Sequence, residues 1–251
     1  MGAKTALLAY MDAEGPSALR PTVAADRERT EALVRQLYPG WEIADAAACE
    51  LGEATYPPEG TAYVGSLPGM DIVCDRHWMG DFPTRLAQYL IDASAGRRMV
   101  VHWMHSVVDF FAFAVWEDGR LVRSLSLSPD NGIVEDIGER FPFEAPYWAG
   151  EHPVKRIPGW PVQGPYPLPF HPLELGEEAL RTFFGFVLEG RPVPADIDAS
   201  AVELRGFRLK DPQGPDPVVR QAAIAAAVAR MGPPRRFGFA PDGSMVEIDS
   251  R

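Results

Sequence analysis

Two histidines and two aspartates are the residues whose types and spacing come closest to catalytic chemistry. His102 and His105 are followed by Asp109, and Asp75 stands at the end of another predicted strand. A carboxylate beside an imidazole fixes the tautomer of the ring and raises its basicity, as a general base requires. If the chain turns at His105 and Ser106, a two-residue hairpin places His102 opposite Asp109. One hypothesis is therefore a hydrolase-type enzyme that uses His102 or His105 with Asp109 or Asp75.

The same residues have a structural interpretation, which we favour. His-Ser is a poor pair for a tight hairpin turn, and a core histidine bonded to a carboxylate needs no catalytic role. On one extended strand His102 and His105 point to opposite faces, so they cannot both bind one metal ion. The two cysteines, Cys49 and Cys74, are too few for a Cys-rich zinc site. We therefore predict no metal and no cofactor.

Residues 141–172 combine nine prolines with seven aromatic residues. Disordered segments are poor in aromatic residues, so this composition indicates an ordered loop. Aromatic side chains on a stiff, proline-rich segment form good recognition surfaces, because little side-chain entropy is lost on binding. The alternative is that these rings cover the sheet in place of regular structure. The candidate residues for binding a ligand or partner are Tyr147, Trp148, Trp160, Tyr166 and Phe170.

Hydrophobic periodicity predicts the elements that must position these residues. Short apolar runs predict strands, and apolar residues at helical spacing predict helices. Residues 41–60 show no period and are predicted to be irregular. The predicted strands are 4–10, 61–67, 70–75, 108–117, 120–127 and 202–209, and the predicted helices are 24–37, 81–96 and 176–189.

The clearest local prediction is a hairpin at Asp118 and Gly119. Asp-Gly is a dipeptide that a type I′ turn prefers, since both central residues need positive φ. A two-residue loop predicts three pairs, which are Glu117 with Arg120, Trp116 with Leu121 and Ala112 with Leu125. Both faces of the first strand are largely apolar. That strand is therefore expected inside a sheet covered on both sides, or at an oligomer contact.

Together these elements predict an α+β fold. Its antiparallel sheet has a central Asp-Gly hairpin and is packed by helices and by the long ordered proline-aromatic loop. Residues 1–210 are expected to form this single domain. Residues 211–251 begin with a linker rich in proline and glycine. They are expected to form a C-terminal appendage with a helix over 217–231 and a small hairpin around 241–243.

Composition excludes several classes of function. The chain has 251 residues, of which 46% are hydrophobic, and a formal net charge of −11. Such a surface repels phosphates, so we expect no nucleic-acid partner. No apolar run approaches the ~18 residues of a membrane helix, and two cysteines are typical of a reducing cytosol. We therefore expect a cytoplasmic location without membrane association. An unknown protein, a small molecule or a second copy of the chain is left as the partner.

Six longer motifs stand out along the chain. They are Met1-Gly-Ala-Lys-Thr-Ala-Leu-Leu-Ala-Tyr10, Thr55-Tyr-Pro-Pro-Glu-Gly60, His105-Ser-Val-Val-Asp109, Phe113-Ala-Val-Trp-Glu-Asp-Gly-Arg-Leu-Val-Arg-Ser-Leu-Ser-Leu-Ser-Pro129, Phe143-Glu-Ala-Pro-Tyr-Trp-Ala-Gly-Glu-His152 and Pro165-Tyr-Pro-Leu-Pro-Phe-His-Pro-Leu-Glu-Leu-Gly176. These motifs resemble an actinobacterial family that is known only as a domain of unknown function. The resemblance covers about residues 1–210 and implies an intracellular protein, but it brings no activity and no site residues.

Two functional hypotheses follow. The one that we favour is a non-catalytic binding or regulatory module that holds a partner or small ligand with its aromatic, proline-rich loop. The alternative is the hydrolase-type enzyme. An enzyme needs at least three polar side chains that converge in a concave pocket, whereas a binding module needs an exposed apolar patch. The placement of the side chains therefore discriminates between the two hypotheses.

Overall fold

A nine-stranded antiparallel sheet forms the body of the protein. The computed structural model describes residues 2–12, 19, 24–155, 166–214, 226, 236–239 and 245–248. The strands of this sheet are β1 (Lys4–Met11), β2 (Glu42–Glu50), β3 (Thr61–Leu67), β4 (Met70–Cys74), β5 (Arg98–His105), β6 (Phe110–Glu117), β7 (Arg120–Ser128), β8 (Gly132–Gly138) and β9 (Glu203–Lys210). The helices are α1 (Arg27–Leu37), α2 (Leu51–Ala54), α3 (Gln88–Asp92), α4 (Ala145–Trp148) and α5 (Pro172–Phe184).

The strand order combines local hairpins with two long-range insertions. The order is β2-β9-β3-β4-β1-β5-β6-β7-β8, and every neighbouring pair is antiparallel. Hairpins join β3 to β4 and link β5, β6, β7 and β8 in succession. By contrast, β1 lies between β4 and β5, and β9 lies between β2 and β3. The predicted α+β fold with an antiparallel sheet is confirmed.

The sheet is covered on both faces. Successive residues of a strand point to opposite faces, and Leu7 and Leu8 of β1 belong to two separate hydrophobic clusters. On the face of Leu7, which we call the first face, pack α2, α5 and residues of the segment 141–148. On the face of Leu8, the second face, pack α1 and α3. This two-sided cover explains why every residue of β4 is buried.

The two-sided core is clearest in β6. Phe111 and Phe113 on the first face and Ala112 and Ala114 on the second face are all fully buried. The ring of Phe113 lies 5.8 Å from the ring of Phe183 in α5. The interpretation of this strand as one covered on both sides is therefore confirmed.

The hairpin between β6 and β7 has the predicted turn. Asp118 (φ 49°) and Gly119 (φ 73°) both have positive φ, as a type I′ turn requires, and Glu117 pairs with Arg120. Glu117 Oε1 also accepts a hydrogen bond of 2.6 Å from Arg98 on β5. The turn is thus tied to the neighbouring strand.

The register farther along this hairpin differs from the prediction. A register shift leaves Val122 of β7 unpaired with β6, so Ala112 lies opposite Ser126. The predicted pairing of Ala112 with Leu125 is therefore wrong. A bulge of this kind inserts one extra residue into one strand. On the other side of β7, a Cβ atom at Gly138 would overlap the Val122 carbonyl, so the backbones approach closely there.

The prediction that residues 41–60 are irregular is wrong, because this stretch contains β2 and α2. The sequence of β2, Glu-Ile-Ala-Asp-Ala-Ala-Ala-Cys-Glu, is rich in alanine and acidic residues, which are depleted in strands. The strand lies at an edge of the sheet and pairs only with β9, which follows much later in the chain. Its conformation is therefore decided by pairing and not by local propensity.

Helix boundaries also differ from the predictions. α1 begins directly after Asp26, whose side chain accepts a hydrogen bond from the N–H of Arg29 and caps the helix. The helix predicted over 81–96 is broken into a 3-10 turn (Pro83–Arg85) and α3. α5 begins at Pro172 and ends before Gly185, whose φ of 77° is a common helix termination.

The C-terminal part of the chain contains a second, two-stranded sheet. It pairs β10 (Arg236–Phe239) with β11 (Met245–Ile248) in antiparallel fashion, in agreement with the hairpin predicted around 241–243. The helix predicted over 217–231 lies outside the described residues except at Ala226. The division into a domain of residues 1–210 and an appendage of residues 211–251 stays a prediction.

Replacing Phe113 by alanine should lower the free energy of unfolding by about 3–5 kcal/mol, because the ring is fully buried against other rings of the core. Urea denaturation measures this loss. Ile137→Ala is the matched control, since its side chain is 44% exposed, and it should change stability by less than ~1 kcal/mol. A loss below ~1 kcal/mol in Phe113→Ala would contradict the two-sided core.

We expect residues 1–212 to fold without the rest of the chain. β9 ends at Lys210 and lies inside the main sheet, so the cut has to follow it, whereas β10 and β11 form a separate sheet. In thermal melting, a chain truncated after Pro212 should keep its midpoint within about 10 °C of the full chain. An insoluble product or a larger drop would mean that the C-terminal segment is an integral layer of the fold.

Candidate functional site

His102 is a structural residue that joins β1, β5 and α5. Its side chain is fully buried on the first face. Nε2 lies 2.8 Å from the carbonyl oxygen of Gly176, which can only accept, so Nε2 carries the proton. Nδ1 lies 2.8 Å from Thr5 Oγ1 and therefore accepts a hydrogen bond from that hydroxyl. Both ring nitrogens are occupied, which leaves none to act as a base.

The predicted pairing of His102 with Asp109 is wrong. The chain turns through four residues, 106–109, and not through two, so His102 lies opposite Phe113 on β6. Asp109 (φ 46°) takes the left-handed conformation at the end of this turn. Such a conformation is tolerated by aspartate better than by most residues.

Asp109 instead faces His171, the residue before α5. Asp109 Oδ2 lies 3.6 Å from His171 Nε2. The Nδ1 atom of His171 accepts a hydrogen bond of 3.3 Å from the N–H of Leu173 and caps the helix, so the proton of the neutral ring is on Nε2. Tyr166 stacks on the same imidazole, with ring centroids 5.8 Å apart. This His-Asp pair therefore has no free nitrogen for proton abstraction.

Asp75 lies elsewhere, after β4 on the side of the sheet that α1 covers. Its Oδ2 accepts a hydrogen bond of 2.6 Å from the hydroxyl of Tyr38, and its Oδ1 accepts one of 2.8 Å from the N–H of His77. Burial raises the pKa of the Asp75 carboxyl, and these hydrogen bonds oppose the rise. The carboxylate holds the 3-10 turn that follows it and does not contact His102.

His105 is the last residue of β5. Of the four predicted catalytic residues, it is the one with a ring nitrogen that makes no hydrogen bond to the described residues. It is partly buried, and its Nδ1 atom is shielded from solvent without a hydrogen-bond partner among the described residues. Burial and the nearby Lys4 ammonium lower the pKa of the ring. His105 lines a pocket of about 450 Å³ together with Val108, Phe110 and Ser128.

Four of the five predicted aromatic residues lie in the described part of the chain, and they differ in exposure. Phe170 is fully buried in the first-face core, so it cannot contact a partner at the surface. Trp148 is partly buried, and the Arg140 guanidinium lies 3.8 Å from its ring centroid. Tyr147 is 6% exposed. Trp160 lies outside the described residues.

A buried ion pair fastens the start of the proline-aromatic segment to the sheet. Arg123 of β7 and Glu144 are both fully buried and form a bidentate contact with N···O distances of 2.9 and 2.6 Å. Glu144 Oε1 also accepts a hydrogen bond from the N–H of Phe141, and Arg123 donates a further one to Asp136. These bonds fix α4 and therefore the position of Tyr147.

Tyr147 opens onto a groove of about 600 Å³ along α5. The ring of Tyr147 stacks on the imidazole of His152 with centroids 4.1 Å apart. Its hydroxyl donates to the Glu174 carbonyl, and burial together with nearby glutamates raises its pKa to about 12, so it keeps its proton. We call this space the α5 groove; its lining includes Tyr147, His152, His171, Glu174, Glu189 and Arg191.

The α5 groove is acidic. Four glutamates and two arginines line it, which gives a formal charge of −2 when its histidines are neutral. Glu177 accepts hydrogen bonds from the N–H groups of Leu188 and Glu189, and Glu178 is paired with Arg181 at 2.6 Å. Among the described residues no cation lies within ion-pair distance of Glu174 or Glu189, so these two carboxylates are open to a ligand.

Sequence reasoning missed His152, His171 and the glutamates of the groove. His171-Pro172 did carry a signal, because proline is favoured at the first position of a helix and the residue before it is then the cap. The stacking of His152 on Tyr147 had no such signal. It depends on the conformation of the bend after α4, which places His152 against the Tyr147 ring.

The fold and the groove define an α+β domain with a concave acidic site at a helix that lies on its sheet. The chain belongs to the family of unknown function DUF6928, which matches residues 5–207. No curated protein and no solved structure matches the chain. In the part of the chain that the structure describes, no helix is long and apolar enough to cross a membrane, and no three His, Cys, Asp or Glu side chains are grouped as metal ligands.

The buried, neutral His102 should make stability depend on pH. Burial lowers its pKa from 6.5 to about 4. Between pH 4 and pH 6.5, His102 is protonated in the unfolded chain but neutral in the folded protein. Protonation therefore favours unfolding, and the free energy of unfolding falls as pH falls from about 6.5 to 4. From pH 7.5 to 4.5 the wild type should therefore lose about 2–3 kcal/mol more than His102→Gln in urea unfolding. Parallel losses in the two proteins would contradict a neutral, buried imidazole.

Proposed function

We propose that this protein is a binding module whose α5 groove holds a small, flat cation, such as a guanidinium, an amidinium or an aromatic amine. The observation that carries the proposal is the combination of two open carboxylates, Glu174 and Glu189, with the stacked Tyr147–His152 pair in one groove. Concave sites with a few well-placed polar groups are the usual places where small molecules bind.

The charges of the groove favour a cation over an anion. Glu178 is compensated by Arg181, which also contacts Asp196 at 3.0 Å. Glu174 and Glu189 have no ion-pair partner among the described residues, and Arg191 is the second arginine that lines the groove. Hydrogen bonds between an ionised donor and a carboxylate are roughly twice as strong as neutral ones. The ligand is therefore expected to carry N–H donors with a positive charge.

The aromatic wall favours a flat cation. His152 is exposed and is held only by stacking on Tyr147 among the contacts of the described residues. A planar cation can stack on the exposed imidazole of His152, which lies against the buried ring of Tyr147. This role agrees with the preferred hypothesis, in which the proline-aromatic loop supplies a recognition surface.

The imidazoles support binding more than hydrolysis. His102 uses both of its nitrogens in hydrogen bonds, whereas His171 accepts one with Nδ1 and faces Asp109 with Nε2. Both oxygens of Asp75 accept hydrogen bonds. The Nδ1 atom of His105 has no partner among the described residues, so no carboxylate orients its ring through that atom. Among the described residues, His102, His105, Asp75 and Asp109 do not form the set of base, orienting group and nucleophile that a hydrolase places together.

The cellular setting and the assembly of the protein belong to the same proposal. A cytoplasmic, actinobacterial protein is what the resemblance and the cysteine content imply. For a homo-oligomer, the support is β8, an edge strand on which Ile133 and Ile137 are 46% and 44% exposed. Exposed apolar residues on an edge strand are candidates for contact with a second copy.

Isothermal titration with p-aminobenzamidine, a flat amidinium, tests the proposal. The wild type should bind it saturably, and Glu174→Gln should weaken binding about 3–10-fold, because one charged acceptor is lost at a partly exposed site. His152→Ala should weaken binding through loss of the stacking wall. Glu139→Gln is the matched control, since it removes an exposed carboxylate that does not line the groove. Absence of saturable binding, or equal losses in Glu174→Gln and Glu139→Gln, would overturn the proposal.

A further inference from the structure

Three basic side chains surround Tyr56, which follows α2. The Lys4 Nζ atom lies 5.7 Å from the centroid of the Tyr56 ring, and the Arg76 guanidinium carbon lies 5.6 Å from it. The imidazole of His105 meets the same ring edge-on, with centroids 5.7 Å apart. We call Lys4, Arg76 and His105 the basic cluster.

The topology of the sheet brings this cluster together. Lys4 begins β1 and His105 ends β5, and the two are directly paired, so their side chains lie on the same face. Arg76 comes from the 3-10 turn after β4, the strand on the other side of β1. The three basic side chains therefore lie at the same end of the sheet, at the start of β1, at the end of β5 and just after β4.

The Asp75 carboxylate compensates Arg76 at longer range, but the two form no ion pair in the described part of the chain. Among the described residues no carboxylate lies within ion-pair distance of Lys4 or Arg76, whereas Arg97, Arg123 and Arg181 each contact a carboxylate at 2.7 Å or closer. Like charges held close together repel one another, and an anion between them removes that cost. The Nδ1 atom of His105 is shielded from solvent and has no hydrogen-bond partner among the described residues, so it can bond to a ligand at this cluster.

A pocket of about 450 Å³ adjoins the cluster through His105. Met79 and Phe110 give it apolar walls, and Ser128 and Asn131 contribute polar groups. The carboxylates of Asp81 and Asp130 also line this pocket. They repel an anion, but they accept hydrogen bonds from hydroxyl or amino groups. One ligand could therefore place an anionic group at the basic cluster and a hydroxyl or amino group in the pocket.

We propose that this end of the sheet binds a small soluble phosphate monoester that carries hydroxyl groups, with the phosphoryl oxygens among Lys4, Arg76 and His105. The hydroxylated part then occupies the pocket and donates to Asp81 and Asp130. The site lies outside the α5 groove, shares none of its lining residues and takes a ligand of opposite charge. The proposal stands independently of the cation-binding function.

The site makes binding sensitive to pH through His105. The neutral ring meets an anion with one N–H at most, whereas the protonated ring adds a positive charge, so affinity should rise as pH falls. The charged and titratable groups that face His105 or share its pocket are Lys4 on β1, Tyr56 after α2, Arg76 after β4, Asp81, and Asp130 after β7.

Titration calorimetry at fixed low ionic strength, with glucose 6-phosphate and glucose as probes, tests the site. The wild type should bind glucose 6-phosphate at least 10-fold more tightly than glucose. Arg76→Gln should weaken binding of the phosphate about 10-fold. Arg85→Gln is the matched control, because that guanidinium also lies over an aromatic ring, Phe82, but outside the cluster; it should change affinity less than 2-fold. Thermal melting checks that every variant is folded.

A titration with sulfate tests the role of His105 separately, because the charge of sulfate is constant between pH 5 and pH 8. A change of sulfate affinity with pH therefore reports on the protein. Sulfate affinity should rise on acidification in the wild type and stay flat in His105→Gln or His105→Asn. Equal affinity for glucose and glucose 6-phosphate, equal losses in Arg76→Gln and Arg85→Gln, or the same pH profile in the wild type and the His105 variants would overturn the proposal. Binding to phosphatidic acid vesicles without binding to glucose 6-phosphate would also overturn the proposal, because the cluster would then bind lipid headgroups at a membrane surface and not a soluble ligand.

Discussion

The contact of α5 with the sheet at Gly176 is the constraint on which the rest of the first face depends. The carbonyl of Gly176 accepts a hydrogen bond from His102, which is itself bonded to Thr5, so one imidazole links the helix to two strands. A Cβ atom at Gly176 would lie 2.8 Å from Met104 Sδ and 3.1 Å from Phe111. Glycine permits this approach without a shift of the Met104 side chain, and the buried hydrogen bond fixes the distance between the helix and the sheet.

The position of α5 determines the shape of the α5 groove. One wall of the groove is the exposed side of this helix, and the other contains Tyr147, which depends on the Arg123–Glu144 ion pair. Removing two charges from water is costly, and the cost is offset only when geometry and additional hydrogen bonds are good. Here both partners make further bonds to the backbone. The ion pair therefore holds residues 141–148 in one position on the sheet.

The histidines show how one residue type acquires different chemistry from its surroundings. His102 is neutral and buried and serves as a structural link, while His171 caps a helix and faces a carboxylate. His105 is partly buried beside the Lys4 ammonium, and its Nδ1 atom has no hydrogen-bond partner among the described residues. The sequence places His102 and His105 three residues apart, but their roles differ because they lie on opposite faces of β5.

The sequence by itself determined the local features of this protein. It determined the Asp118-Gly119 turn, because positive φ at two successive positions is a property of those two residues, and the two-sided core of β6, because its residues are apolar on both faces. It likewise determined the hairpin of β3 and β4. The aromatic composition of residues 141–172 indicated an ordered segment, of which 141–155 and 166–172 are described.

Only the tertiary structure decided which distant residues meet. The strand β2 and the partner of His102 both depend on contacts between segments far apart in the chain. Local propensity is worth about 1 kcal/mol or less per residue, whereas a buried side chain or a satisfied buried polar group is worth more. The long-range contacts therefore prevail, and both candidate sites are built from such contacts.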